Sequence, residues 1–273
     1  MPYADFSLRA GLRWRSVVLR GLRPASLDSV HEGSSLSRAG VRARVHVTET
    51  ISTLREVVLM PRDLVPVLPK GLAHEDDVVV LVHGFMASAG VFRPMKDALT
   101  RLTGAKVASF THAPGAGIDR IARSLARLVD RLPSGRVHLV GHSLGGVVAR
   151  WYVQEHGGHA RVTQTISLGS PFGGTERVRP FPFLVGRDLA CTSTILARLR
   201  ARAHEHDVPH TSFVGGEDIV VIPNESAIFP RGEVVRFPRC GHNTLLFHAG
   251  SIARVVGCVQ RQQAVLAATQ AAG

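Results

Sequence analysis

From Asp77 onward the chain alternates between short apolar runs and amphipathic segments, and this alternation constrains the fold more than any other feature. Residues 78–82 form a continuous valine-rich run, which is typical of a strand covered on both faces. Repeated strand–helix units predict an α/β fold, with a mostly parallel central sheet flanked by helices. The predicted strands are 78–82, 107–110, 137–140, 162–168, 212–214 and 234–237, and the predicted helices are 91–102, 118–132, 144–156, 194–203 and 245–259.

Residues 141–146 read Gly-His-Ser-Leu-Gly-Gly and lie between a predicted strand and a predicted helix. A Gly-x-Ser-x-Gly sequence in that position forces a tight turn, because glycines on either side of the serine let backbone segments approach closely. The turn holds the hydroxyl of Ser143 out over the end of the sheet. Ser143 is therefore the candidate nucleophile.

A serine hydroxyl needs a base to take its proton, a carboxylate to orient that base, and N–H donors for the developing oxyanion. His242 is the candidate base, because it follows the last predicted strand in a glycine-containing loop at the same edge as Ser143. We expect His142 to turn its ring away from the nucleophile and His248 to be a structural residue inside the last helix.

Asp218 is the candidate carboxylate, since it follows the predicted strand 212–214. Glu217 is its local rival, and Asp188 and Asp207 are distant ones. The candidate oxyanion donors are two backbone N–H groups. One belongs to Leu144, at the start of a helix, and the other to Phe85, after the first central strand, with Met86 as the rival.

The chain has 273 residues and a formal net charge of +12, which favours contact with anionic surfaces. Only 5% of the residues are aromatic and no nucleic-acid-binding signature is visible, so we expect no nucleic acid as partner. The three cysteines, Cys191, Cys240 and Cys258, lack the spacing of a zinc or redox site, and one disulfide with a thiol left over stays open. We predict neither a metal nor a cofactor.

Residues 1–45 are predicted to be a basic N-terminal extension, with eight arginines against three acidic residues. Residues 8–23 project as a basic amphipathic helix, which suits either packing on the sheet or peripheral contact with an anionic membrane. We interpret residues 31–40 as a loop and 44–50 as a weak edge strand. The absence of a long apolar run or a recognisable signal peptide favours a cytoplasmic location, with a membrane-peripheral one as the alternative.

Residues 46–273 are predicted to form one domain with a small cap or lid insertion at about 175–210, for which a plain crossover helix is the alternative. The insertion is rich in arginine and contains apolar residues that suit either an acyl chain or the core of the cap itself. These apolar residues are Phe181, Phe183, Leu184, Ile195 and Leu196.

Five sequence blocks occur in an order that resembles the α/β-hydrolase superfamily, and within it bacterial serine lipases and esterases. The blocks are 81–85, 141–146, 168–175, 218–223 and 241–246. The order of serine, acid and histidine along the chain is also similar to that of the family. The resemblance implies a triad of Ser143, His242 and Asp218, and an oxyanion hole from Phe85 and Leu144. It also implies acyl esters as substrates.

The leading functional hypothesis is a serine hydrolase that cleaves carboxylic esters, a lipase or carboxylesterase, through an acyl-serine intermediate. An acyltransferase, a thioesterase or a phospholipase would use the same triad on a different acceptor or substrate. The alternative from another class is a membrane-surface binding protein on a hydrolase fold that does not catalyse a reaction.

Overall fold

The computed structural model describes residues 38–133, 135–178 and 185–272. The chain divides into two compact units, 1–41 and 42–273. Of the first unit only residues 38–41 are described, and they begin a helix. The predicted amphipathic segment 8–23 and the predicted cap residues Phe181, Phe183 and Leu184 lie outside the described residues.

The described residues contain six strands and eight α-helices. The strands are β1 (Asp77–Val82), β2 (Lys106–Phe110), β3 (Arg136–His142), β4 (Val162–Leu168), β5 (His210–Gly215) and β6 (Glu233–Phe237). The helices are α1 (Arg38–Leu59), α2 (Arg93–Thr103), α3 (Ile118–Asp130), α4 (Leu144–Glu155), α5 (Val185–Asp188), α6 (Thr194–Ala201), α7 (Thr244–Phe247) and α8 (Ala249–Ala272).

The strands form one sheet in the order β2-β1-β3-β4-β5-β6, and every neighbouring pair is parallel. The predicted fold class, a parallel sheet flanked by helices, is confirmed. Because all six strands run the same way, their carboxyl ends meet at one edge of the sheet. The loops that carry residues 83–86, 143, 216–218 and 238–243 all leave the sheet at this edge.

Two apolar layers cover the sheet, and alternate residues of β1 point into them. Val78, Val80 and Val82 pack in the layer that contains the apolar faces of α3 and α4. Val79 and Leu81 pack in the opposite layer, against α2, α7 and α8. This period of two explains why the run is apolar at every position.

The structure corrects the interpretation of residues 38–50, whereas residues 31–37 of the predicted loop lie outside the described residues. Residues 38–40, predicted to be in a loop, and residues 44–50, predicted to be an edge strand, belong to α1. The residues of α1 that face the protein are Val45, Glu49, Ser52 and Glu56, which recur at intervals of three or four as a helix requires. Three of these four residues are polar, so the apolar pattern did not reveal the helix.

The predicted last helix, 245–259, is two helices in the structure. The backbone of His248 is extended between α7 and α8, and α8 continues to Ala272. His248 therefore does not lie inside a helix. Among the described residues, none of the helices combines the length and the apolar character needed to cross a bilayer.

Candidate active site

Ser143 occupies the turn between β3 and α4 in a strained backbone conformation. Its φ is 52° and its ψ is −122°, a region that non-glycine residues rarely adopt. The Ser143 N–H donates to the carbonyl oxygen of Leu168 at 2.9 Å, so the turn is tied to the end of β4. The Ser143 side chain is half-buried.

The glycines that follow Ser143 let α4 lie directly against its neighbours. A Cβ on Gly145 would collide with the carbonyl oxygen of Val82 in β1. A Cβ on Gly146 would collide with the hydroxyl of Ser170. The start of α4 is therefore pressed against the end of the sheet, which fixes the position of Ser143.

His242 and Asp218 form a buried hydrogen-bonded pair at the same edge. The distance from His242 Nδ1 to Asp218 Oδ2 is 2.7 Å. The other carboxylate oxygen of Asp218 accepts the N–H groups of Val220 and Val221 at 2.8 and 2.9 Å. Since Asp218 is held at both oxygens, it can fix the ring of His242 and keep a proton on Nδ1.

Gly169 connects this pair to the serine turn. It follows Leu168, which binds the Ser143 N–H, and its φ is +57°. A Cβ on Gly169 would lie 3.1 Å from both His242 Nδ1 and Asp218 Oδ2. The structure thus brings the three predicted residues together around the end of β4.

The charges of the pair change both pKa values. Burial raises the pKa of Asp218, but the charge of His242 and the hydrogen bonds to the carboxylate outweigh it, so the pKa is lowered. Burial likewise lowers the pKa of His242. The charge and hydrogen bond of Asp218, with the charges of Glu49 and Glu56, outweigh burial and raise that pKa.

His142 packs directly against the candidate base. Its ring lies 4.7 Å from the ring of His242, centroid to centroid, and its Nε2–H donates to the carbonyl oxygen of His242 at 3.2 Å. The reason is the alternation of β3, because Val140 and His142 share the sheet face on which the α7 residues Leu245 and Leu246 pack. Burial and the charge of His242 lower the pKa of His142 to about 3, so its ring is neutral.

One predicted oxyanion donor follows Ser143 in sequence, and the other follows Gly84, which lies against the Ser143 side chain. Leu144 is buried and is the first residue of α4, where N–H groups have no acceptor within the helix. Phe85 is half-buried and follows Gly84, where a Cβ would lie 3.1 Å from the Cβ of Ser143. Met86, the rival donor, has an exposed side chain and a φ of 58°.

His83 orients the peptide that carries the Phe85 N–H. Its Nδ1–H donates at 2.8 Å to the carbonyl oxygen of Gly84, which belongs to the same peptide as the Phe85 nitrogen. The His83 Nε2 accepts the N–H of His112 at 3.2 Å, and the two rings stack 4.0 Å apart. Burial and the charge of His112 lower the pKa of His83 to about 3, so the ring stays neutral and keeps this arrangement.

Sequence reasoning missed Glu49, which reaches the His242 loop from α1. One carboxylate oxygen accepts the N–H of Asn243 at 2.7 Å, and the other accepts the N–H and the hydroxyl of Thr244 at 2.9 and 2.7 Å. A Cβ on Gly241 would collide with the same carboxylate. If residues 45–56 had been predicted to be a helix, Glu49 would have fallen on its buried face. The sequence pattern still does not identify the residues that Glu49 binds.

The rival carboxylates have other partners. The Asp188 side chain accepts the N–H of Ile118 at 2.8 Å, at the start of α3, and Asp207 pairs with Arg231. Glu217 is half-buried, and its N–H donates to the carbonyl oxygen of Cys240 at 3.1 Å. Within the described ranges, Asp218 is the carboxylate that binds His242.

All three cysteines are free thiols, of which Cys240 and Cys258 are buried and Cys191 is exposed. The described part of the chain contains no group of three or more His, Cys, Asp or Glu residues that could hold a metal ion. In the predicted cap, Leu196 is buried in the main core and Ile195 packs against it, so these two residues serve as core.

A partly apolar groove of about 420 Å³ lies next to the loop that carries Phe85. Met86, Ala87 and Ser88 of that loop line one part of it, and residues from the α1–β1 connection and from the loop after β2 line the rest. Those other residues are Met60, Leu64, Thr111, His112, Ala113 and Pro114.

Comparison with known proteins gives a family match and several structural matches. Residues 77–186 match the family model described as alpha/beta hydrolase fold. No curated protein is significantly similar to the chain in sequence.

Among solved structures, lipase B of Aspergillus fumigatus is similar with a TM-score of 0.58 and 16% identity, over 86% of this chain and 61% of that one. This chain therefore spans about three fifths of that lipase. The mature lipase BlEst2 of Bacillus licheniformis is similar with a TM-score of 0.55 and 13% identity, over 71% of this chain and 97% of that one. A structure from a study of carboxylesterases of the thaumarchaeon Nitrososphaera gargenis has a TM-score of 0.54 and 14% identity, over 72% of this chain and 95% of that one.

Proposed function

Since the chain has the α/β-hydrolase fold, we propose that it is a serine hydrolase that cleaves carboxylic esters. The observation that carries the proposal is the convergence of three groups at one edge of the sheet. The strained turn presents Ser143, and the buried pair of His242 and Asp218 stands beside the same strand end. The same fold supports many functions, so the proposal rests on this site.

The proposed reaction has two halves. In the first, the Nε2 of His242 takes the proton of Ser143 as the hydroxyl oxygen attacks the ester carbonyl, and it then gives that proton to the leaving alcohol. In the second, His242 deprotonates a water molecule that attacks the acyl-serine, and it then returns that proton to the Ser143 oxygen as the acid leaves. Asp218 keeps the Nδ1 proton in place and stabilises the imidazolium that forms in each half.

The oxyanion of each tetrahedral intermediate would bind the N–H groups of Phe85 and Leu144. The Phe85 N–H is oriented before the substrate arrives, because His83 holds the Gly84 carbonyl of the same peptide. Donors that need no reorientation stabilise a developing charge more effectively than mobile ones. His83 is therefore proposed as a positioning residue for the oxyanion hole.

The groove beside Phe85 supports an ester with an apolar portion. Its volume is about 420 Å³, and the side chains of Met60, Leu64 and Met86 contribute to its lining. Two of the similar structures are lipases by name, and a third comes from a study of carboxylesterases. These relationships favour an acyl ester as the substrate class of this chain.

A chain-length series of p-nitrophenyl esters tests the proposal. We expect wild type to hydrolyse at least one ester, and we expect Ser143→Ala to reduce the rate by about 10³-fold or more. The matched control is Ser170→Ala, which removes a buried hydroxyl that has no hydrogen-bond partner among the described residues. Wild type that leaves every ester intact and does not react with a fluorophosphonate would refute the hydrolase and favour a non-catalytic membrane-surface protein.

The related reactions share the triad and differ in the acceptor or the substrate. Transfer of the acyl group to an added alcohol in preference to water would indicate an acyltransferase. Faster cleavage of acyl thioesters or phospholipids than of simple esters would indicate a thioesterase or a phospholipase.

A further inference from the structure

Helix α1 is oriented with polar residues toward the protein. Glu49 binds Asn243 and Thr244, as described above. The hydroxyl of Ser52 lies 3.4 Å from that of Thr244, and the hydroxyl of Thr53 accepts the side-chain N–H of Asn243 at 3.1 Å. The contacts between α1 and the His242 loop are therefore largely polar.

The opposite side of α1 is apolar and exposed. Val47, Ile51, Leu54 and Val58 are 59, 52, 60 and 65% exposed. With 3.6 residues per turn these four side chains fall within about 60° of one another, roughly opposite Glu49 and Ser52. A helix on a water-soluble domain normally turns its apolar stripe inward, so this arrangement is reversed. We name these four residues the α1 face.

Further exposed apolar side chains follow α1 along the chain. Eight of the thirteen large apolar side chains that are exposed among the described residues lie between positions 47 and 67. Leu64 is 62% exposed and Val65 is 71% exposed, and Leu64 also lines the groove beside Phe85. An apolar concentration of this kind marks an interaction surface.

The exposed charges near the α1 face are positive, and they favour an anionic partner. The exposed Lys and Arg residues of the segment 43–70 are Arg44, Arg55, Arg62 and Lys70. The carboxylates of the segment, Glu49, Glu56 and Asp63, are all half-buried. Asp63 pairs with Arg93 at 3.0 Å, and Glu49 is bound to the His242 loop. The exposed charged side chains of this segment are therefore all positive, and they lie among exposed apolar residues and a few exposed threonines.

We propose that the α1 face docks on an anionic phospholipid bilayer. Apolar residues flanked by arginines are the composition of helices that lie in the membrane interface, where buried apolar area and attraction to anionic headgroups act together. On its other side, α1 binds the His242 loop through Glu49, and this loop lies at the carboxyl edge of the sheet. Docking of the α1 face therefore brings that edge close to the bilayer. The inference rests on the surface of α1 and is independent of the reaction proposed above.

Vesicle binding by the full chain tests the proposal. The perturbing variant is the double substitution Ile51→Glu and Leu54→Glu, which places two negative charges on the α1 face. The matched control is Val265→Glu, because Val265 is 57% exposed on α8. All three positions are exposed, so we expect native circular dichroism for both proteins.

We expect wild type and Val265→Glu to co-sediment with phosphatidylcholine vesicles that contain phosphatidylglycerol, and to bind at least tenfold more weakly to phosphatidylcholine alone. The double variant should bind the anionic vesicles at least tenfold more weakly than wild type. Equal vesicle binding by the double variant and wild type would overturn the proposal, as would no binding by wild type.

Size-exclusion chromatography with light scattering distinguishes the lipid from a second copy of the chain. A wild-type dimer that the double variant dissociates would assign the α1 face to self-association and would overturn the proposal. Hydrolysis of a water-soluble p-nitrophenyl ester, measured on the same samples, tests the proposed reaction separately from the docking.

Discussion

Replacing Glu49 by glutamine tests whether the contact between α1 and the His242 loop affects the stability of the protein and the pKa of His242. The Glu49 carboxylate accepts three hydrogen bonds, two of them from Thr244 and one from the N–H of Asn243. A glutamine side chain has one acceptor oxygen. That oxygen can keep the two hydrogen bonds from Thr244. The side-chain N–H groups of the glutamine then face the N–H of Asn243, so two donors meet without an acceptor.

The expected loss of stability follows from this count. A hydrogen bond to a charged group contributes about 1.5–3 kcal/mol. Because Glu49 is half-buried, we expect Glu49→Gln to lower the free energy of unfolding by about 1–2 kcal/mol. In a domain of this size each kcal/mol corresponds to a fall in Tm of about 2–4 °C.

The same substitution changes the protonation of His242. Burial favours the neutral ring, and the carboxylates of Asp218, Glu49 and Glu56 together raise its pKa above the ordinary value. Removing the charge of Glu49 makes the imidazolium less favourable, so the pKa falls. The neutral base then persists to lower pH, and the acid limb of kcat/KM moves to lower pH.

The assay is a pH–rate profile with a soluble p-nitrophenyl ester, combined with thermal unfolding followed by circular dichroism. Glu75→Gln is the control, because it removes an exposed carboxylate next to the amino end of β1, at the other edge of the sheet. An acid limb that stays in place or moves to higher pH in Glu49→Gln would refute the reasoning. An equal shift in Glu75→Gln would show that net charge alone is responsible.

Three further substitutions, two of them with a paired control substitution, test other parts of the site. Asp218→Asn should lower kcat by about 10³–10⁴-fold because the imidazole loses its orienting charge, while Glu217→Gln should leave kcat nearly unchanged; equal losses in the two variants would contradict the assignment of the acid. Gly145→Ala should destabilise the protein in urea denaturation by about 1–3 kcal/mol, since its Cβ would collide with β1, whereas Gly135→Ala, with no heavy atom within 4 Å of its added Cβ, should be neutral. Because burial lowers the pKa of His142 to about 3, its contribution to stability is present above the ordinary pKa of about 6.5 and is lost as the pH falls below that value, by roughly 1 kcal/mol per pH unit. His142→Gln should therefore lose less stability than wild type between neutral and acidic pH, and an identical slope in urea denaturation would contradict this.

The sheet could be predicted because its strands carry a strong local signal. Strand β4 has the same bounds in the prediction and in the structure, and the other five differ by at most two residues at either end. Each run is apolar and lies between polar or glycine-containing turns, so no distant contact is needed to identify it. The placement of Ser143, Asp218 and His242 at one edge then follows from parallel strands, whose carboxyl ends meet there.

The contribution of α1 could not be predicted, because it depends on contacts between distant parts of the chain. Glu49 binds Asn243 across 194 positions of sequence. The side of α1 that faces the protein is mostly polar, and its outer side is apolar. A prediction that turns apolar residues toward the core therefore assigns the two sides the wrong way round.

The contact between His142 and His242 was not predicted, because it depends on which helix covers this face of β3. The structure shows that β3 places His142 on the sheet face that α7 covers, directly beneath His242. The break between α7 and α8 was also missed, because its extended residue is His248 and no glycine or proline stands at that position to mark it.

Covalent labelling of the purified chain with a fluorophosphonate tests the central claim most directly, because the reagent reacts with a serine that a neighbouring histidine activates. Peptide mass spectrometry should locate a single adduct on Ser143, and His242→Ala should label at least about 10²-fold more slowly than wild type. An adduct on another residue, or labelling of Ser143 that does not depend on His242, would contradict the account.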